Sequence, residues 1–476
     1  MTTTQKWVLG LASLGSFMVA LDSLVVTTAL STIHKDLHAS LASLEWTVNA
    51  YSLTFAVLLL SGAALGDKFG RRRMFVGGLA LFTLASAACA LSTSIGPLIA
   101  FRAVQGAGAA IVLPLALTQV SVAFPPQVRG KALGLFSGLT GLAVFSGPFI
   151  GGAVSQGLDW QWIFWVNVPI GAVAIALVLA KLGESTGPNI RFDLPGVFLV
   201  TIGALGIVWA LVRGNDAGWG SGEVIGTLIA GVVVSAVFVV YSSRAKTAML
   251  PMRFFKIRTF TTANFSNFAL YASMYGTLFL ITQYLQNALG YGPLAAGLRV
   301  MPWTATLMVC GPIAGNLVDK LGERRFMVTG LTLNTIGLGW LAAIVSPDLN
   351  YAEMVLPLII SGCGLSMAMP AAQKSVIGAV KPQEIGQASG AITMLRILGG
   401  VFGIAIITAV FAGHGSFASP KAFTDGFTAA MVGATIVSGA GAIVGLGMAG
   451  RKPAPPAAPQ QPAPPVSTTT GAGAGN

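Results

Sequence analysis

Leu65-Gly-Asp-Lys-Phe-Gly-Arg-Arg-Arg73 is a short charged stretch between two long apolar runs, and the chain repeats it as Leu317-Val-Asp-Lys-Leu-Gly-Glu-Arg-Arg325. Leu65/Leu317, Asp67/Asp319, Lys68/Lys320, Gly70/Gly322 and Arg72/Arg324 all stand 252 positions apart. A tight glycine turn carrying Asp and Arg inside an apolar chain belongs at a water interface, where a few residues join two membrane helices. One such stretch reads as an ordinary basic loop. Five identities at a single offset read as the internal duplication of a helical bundle.

The bulk composition agrees. The 476 residues are 54% hydrophobic and 9% charged, with a mean hydropathy of +0.78, so most of the chain cannot face water. The expected fold class is an all-α integral membrane protein. A net charge of +12 raises the question of nucleic acid, but the basic residues fall in short loops and form no stripe beside exposed aromatics. No nucleic-acid partner is expected; the bilayer is. Cys89, Cys310 and Cys363 lie inside apolar runs without paired spacing, which indicates neither disulfides nor zinc. The run from Trp7 to Leu30 is too long for a signal-peptide core and lacks a cleavage site, so it counts as a span.

A helix crosses roughly 30 Å of hydrocarbon at about 1.5 Å per residue, and fourteen runs are long enough. They are Trp7 to Leu30, Trp46 to Leu65, Met74 to Thr93, Pro97 to Val120, Ala132 to Val154, Ile163 to Ala180 and Pro195 to Val212. The others are Val224 to Tyr241, Thr261 to Gln283, Gly297 to Leu317, Phe326 to Val345, Met354 to Gln373, Ser389 to Phe411 and Asp425 to Met448. With the amino terminus in the cytoplasm, 21 Lys and Arg residues fall on cytoplasmic loops and three on the opposite side, with Arg102, Arg299 and Arg396 inside spans. That asymmetry predicts two cytoplasmic termini. The repeat offset carries span 1 onto span 9. The expected domains are a six-helix bundle at 1–180, an inserted pair with its linkers at 181–258, a second six-helix bundle at 259–450, and a disordered Pro/Ala-rich tail at 451–476.

Two charges inside the apolar runs call for partners. An Arg embedded in an apolar helix must face a cavity or a counter-charge, and Arg102 lies roughly 8 Å from the outer end of span 4. Asp22 lies roughly 12 Å from the outer end of span 1, so the two share a depth. Asp22 is also the only carboxylate within the fourteen spans apart from the terminal Asp425. Burial penalises a charged carboxylate and a nearby guanidinium favours it, so a change in water access or in Arg distance would load and release a proton. A permanent structural ion pair is the other reading.

Taken together, these motifs resemble the fourteen-helix drug:proton antiporter branch of the major facilitator superfamily, whose fold is two six-helix bundles, here with an inserted pair. Leu65, Gly66, Asp67, Lys68, Gly70, Arg71 and Arg72 fit the superfamily's loop between helices 2 and 3, with Ala63 replacing its opening Gly. The resemblance implies a cytoplasmic latch between halves at Asp67, Gly70, Arg71, Arg72, Asp319 and Arg324. Arg102-Ala-Val-Gln-Gly-Ala-Gly108 resembles the family's R-x-x-Q-G motif, and Ala20 to Leu30 resembles its L-D-x-T-V-V pattern. On that basis Asp22 is expected to couple protons with Arg102 as its partner. Gly147-Pro148-Phe-Ile-Gly151-Gly152 resembles the antiporter motif of helix 5, implying a gate rather than generic packing, with Ala143 replacing the motif's first Gly.

Trp160 to Gly171, Arg253 to Phe255 and Gln283 to Gly292 also resemble the branch, and their aromatic and amide residues at helix ends read as interfacial anchors. His34 and His38 have zinc-compatible spacing on a helix, but without further ligands they read as a solvated loop. No phosphate-binding G-x-x-x-x-G-K-[ST] loop or soluble catalytic domain is present. The expected activity is therefore export of lipophilic small molecules by alternating access, driven by a proton gradient, by a monomer of a bacterial inner membrane that is not an enzyme and needs no cofactor. Gln105, Asn264, Asn267, Tyr271, Tyr275 and Arg396 are candidates for the substrate cavity. One embedded acid against three embedded Arg residues favours neutral, anionic or singly charged compounds. A dedicated metabolite or antibiotic exporter, a proton-linked importer and a non-transporting sensor are the alternatives.

Overall fold

The computed structural model describes residues 1–187, 193–245, 248–381 and 384–449, without the side chains of Pro126, Val144 and Asp319. The expected disordered tail lies outside the described residues. Within them the chain is helical throughout. α1 is Thr3–Leu37, α2 Leu41–Phe69, α3 Arg71–Ala90, α4 Ile95–Ala123 and α5 Pro126–Gly157. α6 breaks at Val166 into Trp162–Trp165 and Asn167–Lys181. α7 is Leu194–Ala217, α8 Gly222–Arg244, α9 Arg258–Asn287 and α10 Pro293–Leu321. α11 is Glu323–Ile344, α12 Tyr351–Gly378, α13 Ile385–His414 and α14 Pro420–Gly445.

Thirteen of these helices are long and apolar enough to cross a membrane. The helix outside that group is α9, which is 30 residues long and carries Asn264, Asn267, Gln283, Gln286 and Asn287. Its composition makes sense from its position: α9 is wrapped by α1, α12, α13 and α14, and Phe260, Leu270, Leu278, Phe279 and Tyr284 are all buried. A helix that meets protein instead of lipid can carry polar side chains, provided they find partners.

The packing repeats with the sequence. α2 packs on α4, α3 on α4, α1 on α5 and α3 on α6; α10 likewise packs on α12, α11 on α12, α9 on α13 and α11 on α14. The two sets of six meet through α5 with α10, α2 with α13, and α1 with α9. α7 and α8 pack on each other, and α7 lies against the seam of α2 and α13. The repeated charged loop is a repeated backbone geometry: Gly70 at φ 103° ends α2 and Gly322 at φ 92° ends α10, a region that favours glycine.

The halves are closed at the end away from the basic loops. There a Cβ on Gly152 would strike Pro293 and Leu294 of α10, and one on Gly297 would strike the Pro148 carbonyl of α5. Toward the basic end, Gly130, Gly134, Gly138 and Gly141 of α5, with Gly311 and Gly315 of α10, have open space in front of them. α5 and α10 touch at one end and part at the other.

Polar bonds reinforce the closed end. Thr282 Oγ1 donates to the Thr27 carbonyl at 3.0 Å, Gln286 Nε2 to the Thr28 carbonyl at 3.1 Å, and Asn287 Nδ2 to Ser31 Oγ at 3.3 Å. The expectation of interfacial anchors at Gln283 to Gly292 is corrected here: Gln286 and Asn287 join the halves, and Tyr284 is buried, donating to the Ser346 carbonyl. Nor is His34 in a solvated loop. It lies in the last turn of α1, and its ring stacks on Phe417 at 4.7 Å across the same seam.

Candidate functional site

α1, α2, α3, α4 and α6 surround one buried polar cluster. Arg102 is fully buried and Asp22 is 3% exposed. Arg102 Nη1 lies 2.5 Å from Asp22 Oδ2 and 2.7 Å from Gln105 Oε1. Asp22 Oδ1 accepts from Gln105 Nε2 at 2.8 Å and from Asn167 Nδ2 at 3.2 Å. Arg102 Nε donates to the Thr47 carbonyl at 3.2 Å, and its guanidinium lies over the Tyr51 ring at 4.2 Å. Arg102 and Gln105 are one helical turn apart, which puts both on the carboxylate. An ionised carboxylate with three donors, one of them a guanidinium, is compensated for its burial.

The sequence places Asn167 in an interfacial stretch, and the structure overturns that. It is 2% exposed, bonds Asp22, and shares its amide with Ser86 Oγ at 3.1 Å, which in turn donates to the Phe164 carbonyl. Trp160 is likewise buried, its indole N–H donating to Asp36 Oδ2 at 2.7 Å. The available clue is the Asn immediately before the apolar run of α6, where an anchor would sit but a ligand for a buried acid also fits.

Sequence reasoning misses a second carboxylate. α2 begins at Leu41, five residues before the expected span, and so includes Glu45, which is 2% exposed and accepts only from Asn49 Nδ2 at 3.3 Å among the described residues. Asp22 is therefore not the sole buried acid of the helices, although it is the one paired with a guanidinium.

The six cavity candidates divide. Gln105 belongs to the Asp22 cluster. Asn264, Asn267, Tyr271 and Tyr275 do share a face of α9; the two tyrosine rings stack at 6.2 Å, and Arg396 of α13 lies 5.5 Å from the Tyr271 ring centroid. Ser23, next in the chain to Asp22, lies beside the Tyr275 hydroxyl, so this face reaches the other half close to the ion pair. A narrow inter-half crevice with only about 10 Å³ of accessible space in this conformation lies nearby, lined by Leu24 and Pro148 on one side and Met274, Leu278, Trp303 and Leu365 on the other.

The helix 5 residues form the closed end. Gly147 faces Leu24, and Gly151 faces Val25 and Thr28 of α1, while Gly152 and Pro148 face α10. Each glycine removes a side chain where two backbones meet. At the basic end, Arg71 pairs with Asp67 at 2.8 Å, and the backbone N–H groups of Arg72 and Arg73 donate to Glu184 at 2.9 and 3.2 Å. Asp67 and Arg71 also meet the segment after α6 through Gly187 N to Asp67 O and Arg71 N to Ser185 O. In this conformation these bonds run within the amino-terminal bundle and to the linker that follows α6. Arg324 is exposed on the first turn of α11, and the side chain of Asp319 lies outside the described residues.

The description Major Facilitator Superfamily matches residues 12–252 and 263–472, both halves and the pair between them. The chain belongs to the major facilitator superfamily. It is 35% identical over 416 residues to the multidrug resistance protein Stp of Mycobacterium tuberculosis (strain CDC 1551 / Oshkosh), covering 87% of this chain and 77% of that protein. It is 34% identical to the cephamycin export protein CmcT of Amycolatopsis lactamdurans, over 91% of this chain and 90% of that one. The tetracenomycin C resistance and export protein of Streptomyces glaucescens is 32% identical over 83% of this chain and 73% of its own length. Among solved structures, a bacterial homologue of the lysosomal transporter Spinster, inward-facing and unoccupied, superposes with a TM-score of 0.67 at 16% identity, covering 94% of this chain and 97% of that chain. A POT family transporter bound to a thioalcohol-conjugated peptide gives 0.69 at 14% identity, covering 90% and 94%. These superpositions show that the chain shares its fold with those structures.

Proposed function

We propose that this superfamily member exports lipophilic small molecules in exchange for protons, with its basic end and both termini in the cytoplasm of a bacterial cell. The relatives named for drug resistance and antibiotic export support the direction. The observation that carries the coupling is the Asp22–Arg102 pair beside the seam between the halves. Protonating Asp22 removes the anion that holds Arg102 Nη1 and two amide donors, so the packing of α1 against α4 and α6 has two electrostatic states. α1 carries Asp22 on one face and the seal with α9 and α10 at its outer part, so the two states bias the opening of that end.

The cycle follows from those contacts. With the outer end sealed and the carboxylate ionised, the crevice opens between α5 and α10 toward the cytoplasm and admits a lipophilic compound. Opening of the outer end releases it and exposes Asp22 to a proton; return of the neutral acid to the closed state delivers that proton inward. No hydrolytic chemistry is required, and the proton gradient is the energy source. The loop at Asp67 to Arg73 stands at the end where the other half arrives when the cytoplasmic side closes, and a single chain contains every part of the cycle.

Proteoliposomes containing a pH-sensitive dye test this reading. Addition of a lipophilic dye substrate to the cytoplasmic face should drive proton movement in wild type, and Asp22→Asn should bind the dye yet move no protons. Unchanged proton-linked flux in Asp22→Asn would refute the assignment.

A further inference from the structure

Three arginines lie within the apolar helices, and two are accounted for. Arg102 has Asp22. Arg299 sits between the rings of Tyr291 at 3.7 Å and Tyr351 at 5.1 Å and donates to the Ala295 carbonyl. Arg396 has neither an ion pair nor a hydrogen bond among the described residues; its guanidinium lies 5.5 Å from the Tyr271 ring centroid and acts electrostatically on Tyr275.

An unpaired guanidinium at mid-helix in a bilayer is costly, and such a residue is retained where something else supplies the anion. The surroundings say what kind of molecule that is. Tyr271 and Tyr275 stack on one face of α9 beside the guanidinium, offering flat aromatic surface. Below them on the same helix, Asn264 Oδ1 and Asn267 Nδ2 are buried with no partner among the described residues, although the two side chains are 1% and 2% exposed. They lie on the turns of α9 that precede Tyr271, where a buried amide atom without a partner is open to one more hydrogen bond. The adjoining crevice is apolar.

We infer that Arg396, Tyr271 and Tyr275 form a subsite for acidic planar aromatic compounds, whose carboxylate or ionised phenol pairs with the guanidinium while the ring lies against the tyrosines. Arg suits this geometry because its planar fork meets a carboxylate through two parallel hydrogen bonds and stacks on aromatic faces at the same time. The inference rests on the proposed export function and names the substrate class that enters the crevice. It also gives fully buried Arg102 and half-buried Arg396 different counter-ions, the chain's own carboxylate for the first and the cargo for the second.

Binding to the purified full-length protein in nanodiscs tests this with three probes of one shape: 2-naphthoate, neutral 2-naphthamide and a naphthylmethylammonium cation. Wild type should bind the carboxylate about tenfold more tightly than the amide, the ratio a charge-assisted hydrogen bond supplies, and the cation most weakly. Arg396→Gln should bring the carboxylate and the amide to the same affinity, Arg396→Lys should restore part of the preference, and Tyr271→Leu should weaken both by a similar factor. The Lys rescue separates a charge effect from misfolding. Equal affinity of the two probes in wild type, a preference that survives in Arg396→Gln, or no measurable binding of the carboxylate overturns the inference. Because binding needs no transport, Asp22→Asn should keep the carboxylate preference. A carboxylate preference in a wild type that shows no proton-linked flux, or unchanged proton-linked flux in Asp22→Asn, would leave this site standing and remove only the coupling assignment.

Discussion

Nη1 of Arg102 lies 2.5 Å from Oδ2 of Asp22, while Nη2 of the same guanidinium is buried and finds no acceptor among the described residues. The guanidinium is thus held through Nη1 and Nε while Nη2 stays open. Removing the carboxylate or the cation leaves the survivor buried and uncompensated, which costs about 3–5 kcal/mol. Arg102→Gln should therefore lower the melting temperature of the purified protein sharply, and Asp22→Asn/Arg102→Gln should recover part of the loss. A double variant no more stable than the worse single one contradicts this account.

Asn167 supplies the third donor to Asp22. Asn167→Ala removes one hydrogen bond to the ionised form, worth about 1.5–3 kcal/mol for a bond to a charged group, and leaves the Arg102 contact in place. Proton-linked transport should fall about tenfold, the rate equivalent of the lower of those energies. Rates measured in liposomes with wild type and variant would show this, and equal rates would count against it.

The seal at the outer end depends on missing side chains. A Cβ at Gly152 lies within 2.9 Å of Leu294 Cα, so Gly152→Val should hold that end open and cut transport at least tenfold. With Cys89, Cys310 and Cys363 replaced, a Ser31→Cys reporter should then react with an impermeant maleimide from the outside, whereas in the Gly152 parent it stays shielded.

Glu184 holds the first turn of α3 through two backbone N–H groups and is partly exposed. An anion at a helix N-terminus contributes about 0.3–1 kcal/mol, so Glu184→Gln should lower thermal stability slightly while leaving substrate binding at wild-type affinity. A loss as large as that of Arg102→Gln would mean the segment after α6 does far more than cap α3.

Exchange of one monoanion for one proton moves two positive charges inward, and exchange of a neutral compound moves one. Each charge is worth about 2.3 kcal/mol per 100 mV. Imposing an inside-negative potential with potassium and valinomycin should accelerate 2-naphthoate export more steeply than 2-naphthamide export, and equal responses would contradict the combined charge assignment.

Much of this is legible in the chain, for identifiable reasons. The 252-residue offset and the alternating basic loops reveal the repeat because a bilayer forces every span to declare itself by length and hydropathy. Asp22 and Arg102 stand out because charge is rare in such spans. Glu45 does not, since α2 runs past its apolar window and hydropathy cannot see a helix end buried by its neighbours. Asn167 and Gln286 hide for a similar reason: an amide near a helix end reads equally well as an anchor, and only the facing helix distinguishes the two.

The amino-acid order by itself determined the spans, the duplication and which residues carry buried charge, because these follow from what lipid tolerates along a single helix. The tertiary structure alone decided that α9 is central and polar, that α5 and α10 meet at one end and part at the other, and that Arg102 has a counter-ion while Arg396 has none among the described residues. Those outcomes depend on which faces of distant helices meet, and that pairing is set by packing across the bundle rather than by the local pattern of any one segment.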